Sequence, residues 1–141
     1  MKKVREIMTK DPVCSTPQDS VTEAAQLMKR EDVGSVPVVK DRRTKKLVGI
    51  VTDRDLALKV LAEGRDPNNT RVEEIMTRTP VTCREDDDLE SCLDGMEKRQ
   101  IRRMPIVDRE DKIVGIIAQA DVATRGGEPE KTAELVEEIS E

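Results

Sequence analysis

The chain has 141 residues, enough for one compact domain or for two small halves folded against each other. Its 25 Lys and Arg against 30 Asp and Glu give a formal charge of −5, so no global field draws it to nucleic acid or to an anionic membrane. It contains no Phe, Tyr, Trp or His, which removes the aromatic platforms that grip single strands, the usual general base, and most zinc geometries.

In chain order, the segment from Val4 to Val13 reads as an extended lead-in. Ser20 with Glu23 then forms a capping box, and Val21, Ala24, Ala25, Leu27 and Met28 follow at helical spacing. Val36-Pro37-Val38-Val39 is a short apolar run whose proline suits a strand start or an edge. Leu47 to Thr52 is a second strand, and the charged link between the two makes them a hairpin. Asp55 opens a helix through Leu56, Leu58, Val60 and Leu61, until Gly64, Pro67 and Asn68-Asn69 break the chain.

The same order then repeats. Val4-Arg5-Glu6-Ile7-Met8-Thr9 recurs as Val72-Glu73-Glu74-Ile75-Met76-Thr77, and Met28 and Pro37 fall on Met96 and Pro105. Asp88 precedes Leu89, Cys92, Leu93 and Met96 on one helical face. After Val107 the second copy is two residues shorter, within a charged stretch that suits a hairpin turn, and Val48-Gly49-Ile50 matches Val114-Gly115-Ile116. A copy of ~60 residues buries too little surface alone, so pairing of the copies is expected. The expected divisions are a first repeat at 1–66, a second at 67–126, and a helical tail at 127–141 carrying Ala133, Leu135, Val136 and Ile139.

Cys14, Cys83 and Cys92 show no C-x-x-C spacing and read as small buried hydrophobes in a reducing compartment. No apolar run approaches the ~20 residues of a membrane-spanning helix, and Met1-Lys2-Lys3 leads into mixed charge, not a signal-peptide core. A cytoplasmic location is expected, with no metal site, no nucleic acid and no membrane contact.

The two lead-ins, the strands around Pro37 and Pro105, and above all Gly49-Ile50-Val51-Thr52-Asp53-Arg54-Asp55 resemble the CBS domain. The last segment is similar to that family's G-h-x-[T/S]-x-x-D nucleotide motif. The tandem resembles the CBS pair called a Bateman module, of the stand-alone bacterial or archaeal type, over roughly residues 3–125. The resemblance implies an α/β (α+β) fold of two pseudo-symmetric βαββα repeats, each with a short mixed sheet, packed sheet to sheet. It also implies a signalling role: an adenine nucleotide held in the cleft between the repeats as a regulatory ligand, with no cofactor required. AMP, ADP or ATP is the expected ligand, and NAD or S-adenosylmethionine is less frequent in the family. A flat homodimer and an unidentified regulated protein are the expected partners.

An ionised Asp accepts two ribose hydroxyls, and a Thr hydroxyl donates to a phosphate oxygen. Thr52 and Asp55, three residues apart across a strand-to-helix turn, suit that chemistry, although Asp55 equally suits a plain helix cap. By resemblance, Ile50, Pro80, Val81 and Ile101 hold the adenine, and Arg102 with Arg54 faces the phosphates. A weaker second site draws on Val13, Val33, Arg103 and Asp121, where Ala118 replaces the hydroxyl-bearing residue. A ligand-free homodimeric scaffold is the competing expectation. Catalysis has no support, since neither His nor a G-x-x-x-x-G-K-[S/T] loop is present.

Overall fold

The computed structural model describes residues 2–118; Asp121 and the tail expected at 127–141 lie outside the described residues. The first half runs α1 (Val4–Ile7), β1 (Thr9–Lys10), α2 (Val21–Glu31), β2 (Ser35–Val39) and β3 (Leu47–Thr52). Next come α3 (Asp53–Leu56), continued by a π-helical turn at Ala57–Leu61, then a 3-10 turn at Pro67–Asn69, α4 (Val72–Ile75) and β4 (Thr77–Arg78). The second half supplies β5 (Cys83–Arg84), α5 (Leu89–Arg99), β6 (Arg103–Val107) and β7 (Ile113–Ala118).

The helix-hairpin order expected in each copy is present. The lead-ins differ from expectation: each opens on one helical turn, α1 or α4, before a two-residue strand. The cause is a glutamate three residues in. Glu6 accepts the backbone N–H of Lys3 at 2.6 Å and Glu74 that of Arg71 at 2.7 Å, which satisfies a donor that a helix start leaves open. The helix after β3 also begins earlier than expected, at Asp53, with Thr52 as its N-cap.

Two compact units form, each with its own core. Among the described residues, one comprises 2–11, 81–110 and 114–118, and the other Pro12–Pro80 with Asp111–Ile113. The compact units therefore do not follow chain order, because each lead-in packs with the other copy. In the first unit, β1 lies antiparallel to β7, with Thr9 opposite Ile116, in a sheet ordered β1-β7-β6-β5. Parallel β5 and β6 make that sheet mixed. In the second unit, β4 lies antiparallel to β3, with Thr77 opposite Ile50, in a sheet ordered β2-β3-β4. Pro37 thus sits on an edge strand, where its missing N–H breaks no ladder.

Glycines make the exchange possible. A Cβ on Gly49 would stand 2.7 Å from Met76 Sδ and 2.9 Å from the Thr77 carbonyl oxygen. One on Gly115 would stand 2.8 Å from Met8 Cγ and 3.0 Å from the Thr9 carbonyl oxygen. Each lead-in methionine therefore lies over a bare backbone. One core gathers Val4, Ile7, Met96, Met104, Ile106 and Ile117, and the other Val21, Val36, Val38, Val51, Val72 and Ile75. Full burial of such a side chain contributes about 1.5–3 kcal/mol before entropy is charged.

The duplication extends to the backbone. Among the described residues, the six left-handed non-glycine residues form three matched pairs, Asp11 with Thr79, Asp32 with Gln100, and Lys45 with Asp111. Asp32 and Gln100 both end an eleven-residue helix in that conformation. Lys45 and Asp111 flank the bridge of Lys46 to Lys112, which joins the shortened turn of the second copy to the hairpin of the first.

Candidate functional site

The residues expected to hold a ligand begin where β3 gives way to α3. Ile50 and Val51 are buried in the sheet, and the chain turns at Thr52, paired with Ser35. The turn is fixed from both sides, because the Asp53 N–H donates to the Gly34 carbonyl at 2.9 Å. Thr52 and Asp55 close a capping box: Thr52 Oγ1 accepts the Asp55 N–H at 3.2 Å, and Asp55 Oδ2 accepts the Thr52 N–H at 2.9 Å. The other carboxylate oxygen, Oδ1, pairs with Lys59 Nζ at 3.2 Å, and the Asp55 side chain is only 13% exposed. The helix-cap expectation for Asp55 is met, and the same contacts leave a half-buried carboxylate held in one orientation.

Oxygen by oxygen, that carboxylate keeps capacity. It has about four lone-pair positions, and these contacts occupy one on each oxygen. The Thr52 hydroxyl accepts a bond and keeps its own proton for donation. The site can therefore take up two hydroxyl donors and offer one.

The remaining expected residues divide between the units. Ile50, Thr52, Arg54, Asp55 and Pro80 belong with Val13 and Val33 to one, and Val81, Ile101, Arg102 and Arg103 to the other. Arg54 is exposed, Pro80 half-buried, and Val33 exposed beside Gly34 at the Thr52 turn. Val81 is exposed, Ile101 packs against its unit's core, and Arg102 and Arg103 lead into β6. Ala118 ends β7 at the position of Thr52, and Asp121 lies outside the described residues.

Val13 and Cys14 border an open groove of about 440 Å³ with Asp19, Leu27, Arg30 and Arg42. Both of its arginines are paired, one of them with a carboxylate outside the groove. Arg42 reaches Asp19 at 2.8 Å and Arg30 reaches Glu31 at 3.2 Å. Burial alone would raise the Asp19 pKa, but the Thr16 N–H, the Ser15 and Thr16 hydroxyls and Arg42 together hold it below the usual value.

Of the cysteines, only Cys92 is fully buried; Cys14 and Cys83 are half-buried, less enclosed than expected. Cys83 and Cys92 hydrogen-bond to each other. That bond, with burial added, pushes the Cys92 thiol far up, and the same bond draws the Cys83 thiol down against the opposing effect of burial. Among the described residues, no group of His, Cys, Asp and Glu is arranged to hold a metal ion. None of their helices is long and apolar enough to cross a membrane.

Sequence reasoning missed Lys59. The signal was present, since Asp55 and Lys59 stand four apart with the acid first, the favourable order on a helix.

Comparison with known proteins assigns the fold and its duplication together. The chain belongs to the CBS domain family, which it matches at residues 4–62 and again at 72–127. The CBS domain-containing protein YhcV of Bacillus subtilis is 38% identical over 140 residues, spanning 99% of this chain and 96% of that protein. The CBS domain pair of protein MJ0100, solved with 5′-methylthioadenosine and S-adenosyl-L-methionine, superposes with a TM-score of 0.77 at 33% identity, covering 87% of this chain and 94% of that one. CBSX2, solved in complex with AMP, gives 0.73 at 28% identity, again covering 87% and 94%.

Proposed function

We propose that this chain is a regulatory module that binds an adenine nucleotide, AMP, ADP or ATP, and catalyses no reaction. The observation that carries the reading is the Asp55 carboxylate, half-buried, oriented and still able to accept two hydroxyls, at the end of a Gly49-to-Asp55 segment that resembles the family's nucleotide motif. Two relatives of similar fold were solved with adenosine-containing ligands, which supports the ligand class. In this reading Asp55 accepts the ribose hydroxyls and the Thr52 proton goes to a phosphate oxygen. The aliphatic side chains of Ile50, Pro80, Val81 and Ile101 take the base, and Arg54 and Arg102 neutralise the phosphates. The site of Val13, Val33, Arg103 and Asp121 binds more weakly, since Ala118 has no hydroxyl to give. Ligand occupancy biases the arrangement of the repeats, and a partner protein reads the change. The setting is the cytoplasm, where three free thiols persist.

Thermal melting with AMP, ADP, ATP, NAD and S-adenosylmethionine tests this. At a hundredfold excess over Kd a ligand stabilises the fold by about 2.7 kcal/mol, a shift of several degrees. Asp55→Ala removes that shift and Asp121→Ala leaves most of it. If no compound moves the wild-type midpoint, the proposal is wrong.

One specific observation favours a second reading, a ligand-free homodimeric scaffold. Asp55 already has partners in the cap, and the turn after it exposes Leu58 (48%) and Leu61 (72%), an apolar pair suited to a second copy. Sedimentation of wild type against Leu61→Glu reads the oligomeric state. A dimer that the substitution dissociates, together with a flat ligand panel, selects the scaffold.

A further inference from the structure

Lys59 is held at two points. Its ammonium lies 3.2 Å from Asp55 Oδ1 and donates to the Ile75 carbonyl at 3.0 Å. Ile75 closes α4, and the chain from there runs through β4 to Pro80. The π-helical turn carries this residue, with the Ala62 N–H reaching back five residues to Ala57. Asp55 is therefore gripped from two directions, by the Thr52 N–H on Oδ2 and by Lys59 on Oδ1. One lone pair per oxygen is left, the pattern a vicinal diol requires. The second copy keeps the same spacing in sequence, with Asp121 followed four residues later by Arg125.

We infer that Lys59 is a positioning residue that orients Asp55 toward the cis-diol of a ribonucleotide and so sets discrimination against nucleotides that lack the 3′-hydroxyl. The inference rests on the nucleotide-binding reading above and deepens it. Fixing the carboxylate through a cation that is itself tied to Ile75 means that both oxygens are already aimed when the sugar arrives, so no ordering is left to the ligand. It also ties the ribose end of the site to the segment that ends at Pro80. The Lys59 side chain is 47% exposed, so its bond to the Ile75 carbonyl is what sets this pair apart from a plain surface ion pair.

The test is calorimetric titration of the full chain with AMP and with 3′-deoxy-AMP, for wild type, Lys59→Met and Lys59→Arg. The methionine keeps the aliphatic stem and removes the charge. Wild type is expected to prefer AMP about tenfold, the value of one charge-assisted hydrogen bond. Lys59→Met should bind AMP about tenfold more weakly while its affinity for 3′-deoxy-AMP stays unchanged, so that the preference vanishes. Lys59→Arg should restore most of it. If Lys59→Met weakens both ligands equally, or keeps the wild-type ratio, the positioning role is overturned while nucleotide binding stands. If wild type binds none of AMP, ADP and ATP, the nucleotide reading falls and this inference with it.

Discussion

The two copies agree where they pack and disagree at the starts of their later helices. Val4 and Val72, Ile7 and Ile75, Met8 and Met76, and Val51 and Ile117 are buried at matched positions. The lead-in helices start alike, on Glu6 and Glu74, but the later helix starts differ. In the first copy α2 begins on the Ser20–Glu23 capping box and α3 on the Thr52–Asp55 box. In the second, Asp88 stands where Ser20 stood and makes no side-chain cap, its carboxylate turning to Lys3 at 3.0 Å. Ala118 stands where Thr52 stood. Packing residues answer to a core that both copies must fill, whereas a cap worth about 1 kcal/mol is free to drift unless something else holds it. The retained polar turn of the first copy is therefore where a function would show.

The largest expected effect tests the agreement. Gly49→Ala and Gly115→Ala each force a methyl group against a methionine and a carbonyl of the exchanged lead-in. Overpacking of that kind costs about 1–3 kcal/mol. The methionine can move aside, but the Thr77 and Thr9 carbonyls belong to β-paired backbone and cannot follow easily. Denaturant titration should show both variants destabilised, with costs matching to within about 1 kcal/mol. A variant that costs nothing would mean its lead-in is not seated against that strand.

A smaller effect tests the disagreement. Ser20→Ala removes a side-chain acceptor from the Glu23 N–H and should cost about 1 kcal/mol. Asp88→Ala removes only a half-exposed ion pair with Lys3, worth about 0.2–1 kcal/mol. Asp88→Ser should regain stability by rebuilding the missing cap. Equal costs at the two positions would erase the distinction drawn between the copies.

Much of this was legible in the sequence because it depends on local pattern. Ser20 and Glu23 announce α2, and the short apolar run from Leu47 to Thr52 announces β3. Even the helical turn of the lead-in had a visible signal, since Glu6 and Glu74 each stand three residues past the residue they cap. The exchange of lead-ins was not legible. Duplicated segments pair equally well in principle with either copy, and only the fit of Met8 over Gly115 and of Met76 over Gly49, far apart in sequence, settles which. At the candidate site, Thr52 and Asp55 followed from the motif, but Lys59 required the Ile75 carbonyl, supplied by a helix sixteen residues away. Contacts set by tertiary approach leave no periodicity to read.

The smallest expected effect lies at Asp19, the first copy's most heavily bonded carboxylate. It accepts from Ser15 Oγ at 2.9 Å, from the Thr16 N–H at 3.0 Å, from Thr16 Oγ1 at 2.9 Å and from Arg42 at 2.8 Å. Its counterpart Asp87 accepts the Arg84 N–H at 2.8 Å. Because these donors favour the ionised form over the penalty of burial, the folded-state pKa of Asp19 lies below the unfolded value of 3.8. The sign follows from linkage. The unfolded chain binds the proton first as pH falls, so the stabilisation is complete above 3.8 and drains away as pH drops through the lower folded value. Asp19→Asn keeps the shape and removes the titration. Stability measured from neutral to acidic pH should therefore start lower in the variant near pH 7 and fall less steeply below pH 4. Parallel curves would show that the donors around Asp19 do not prefer the carboxylate to its protonated form, and the first copy would then hold no advantage in buried polar bonding at this corner.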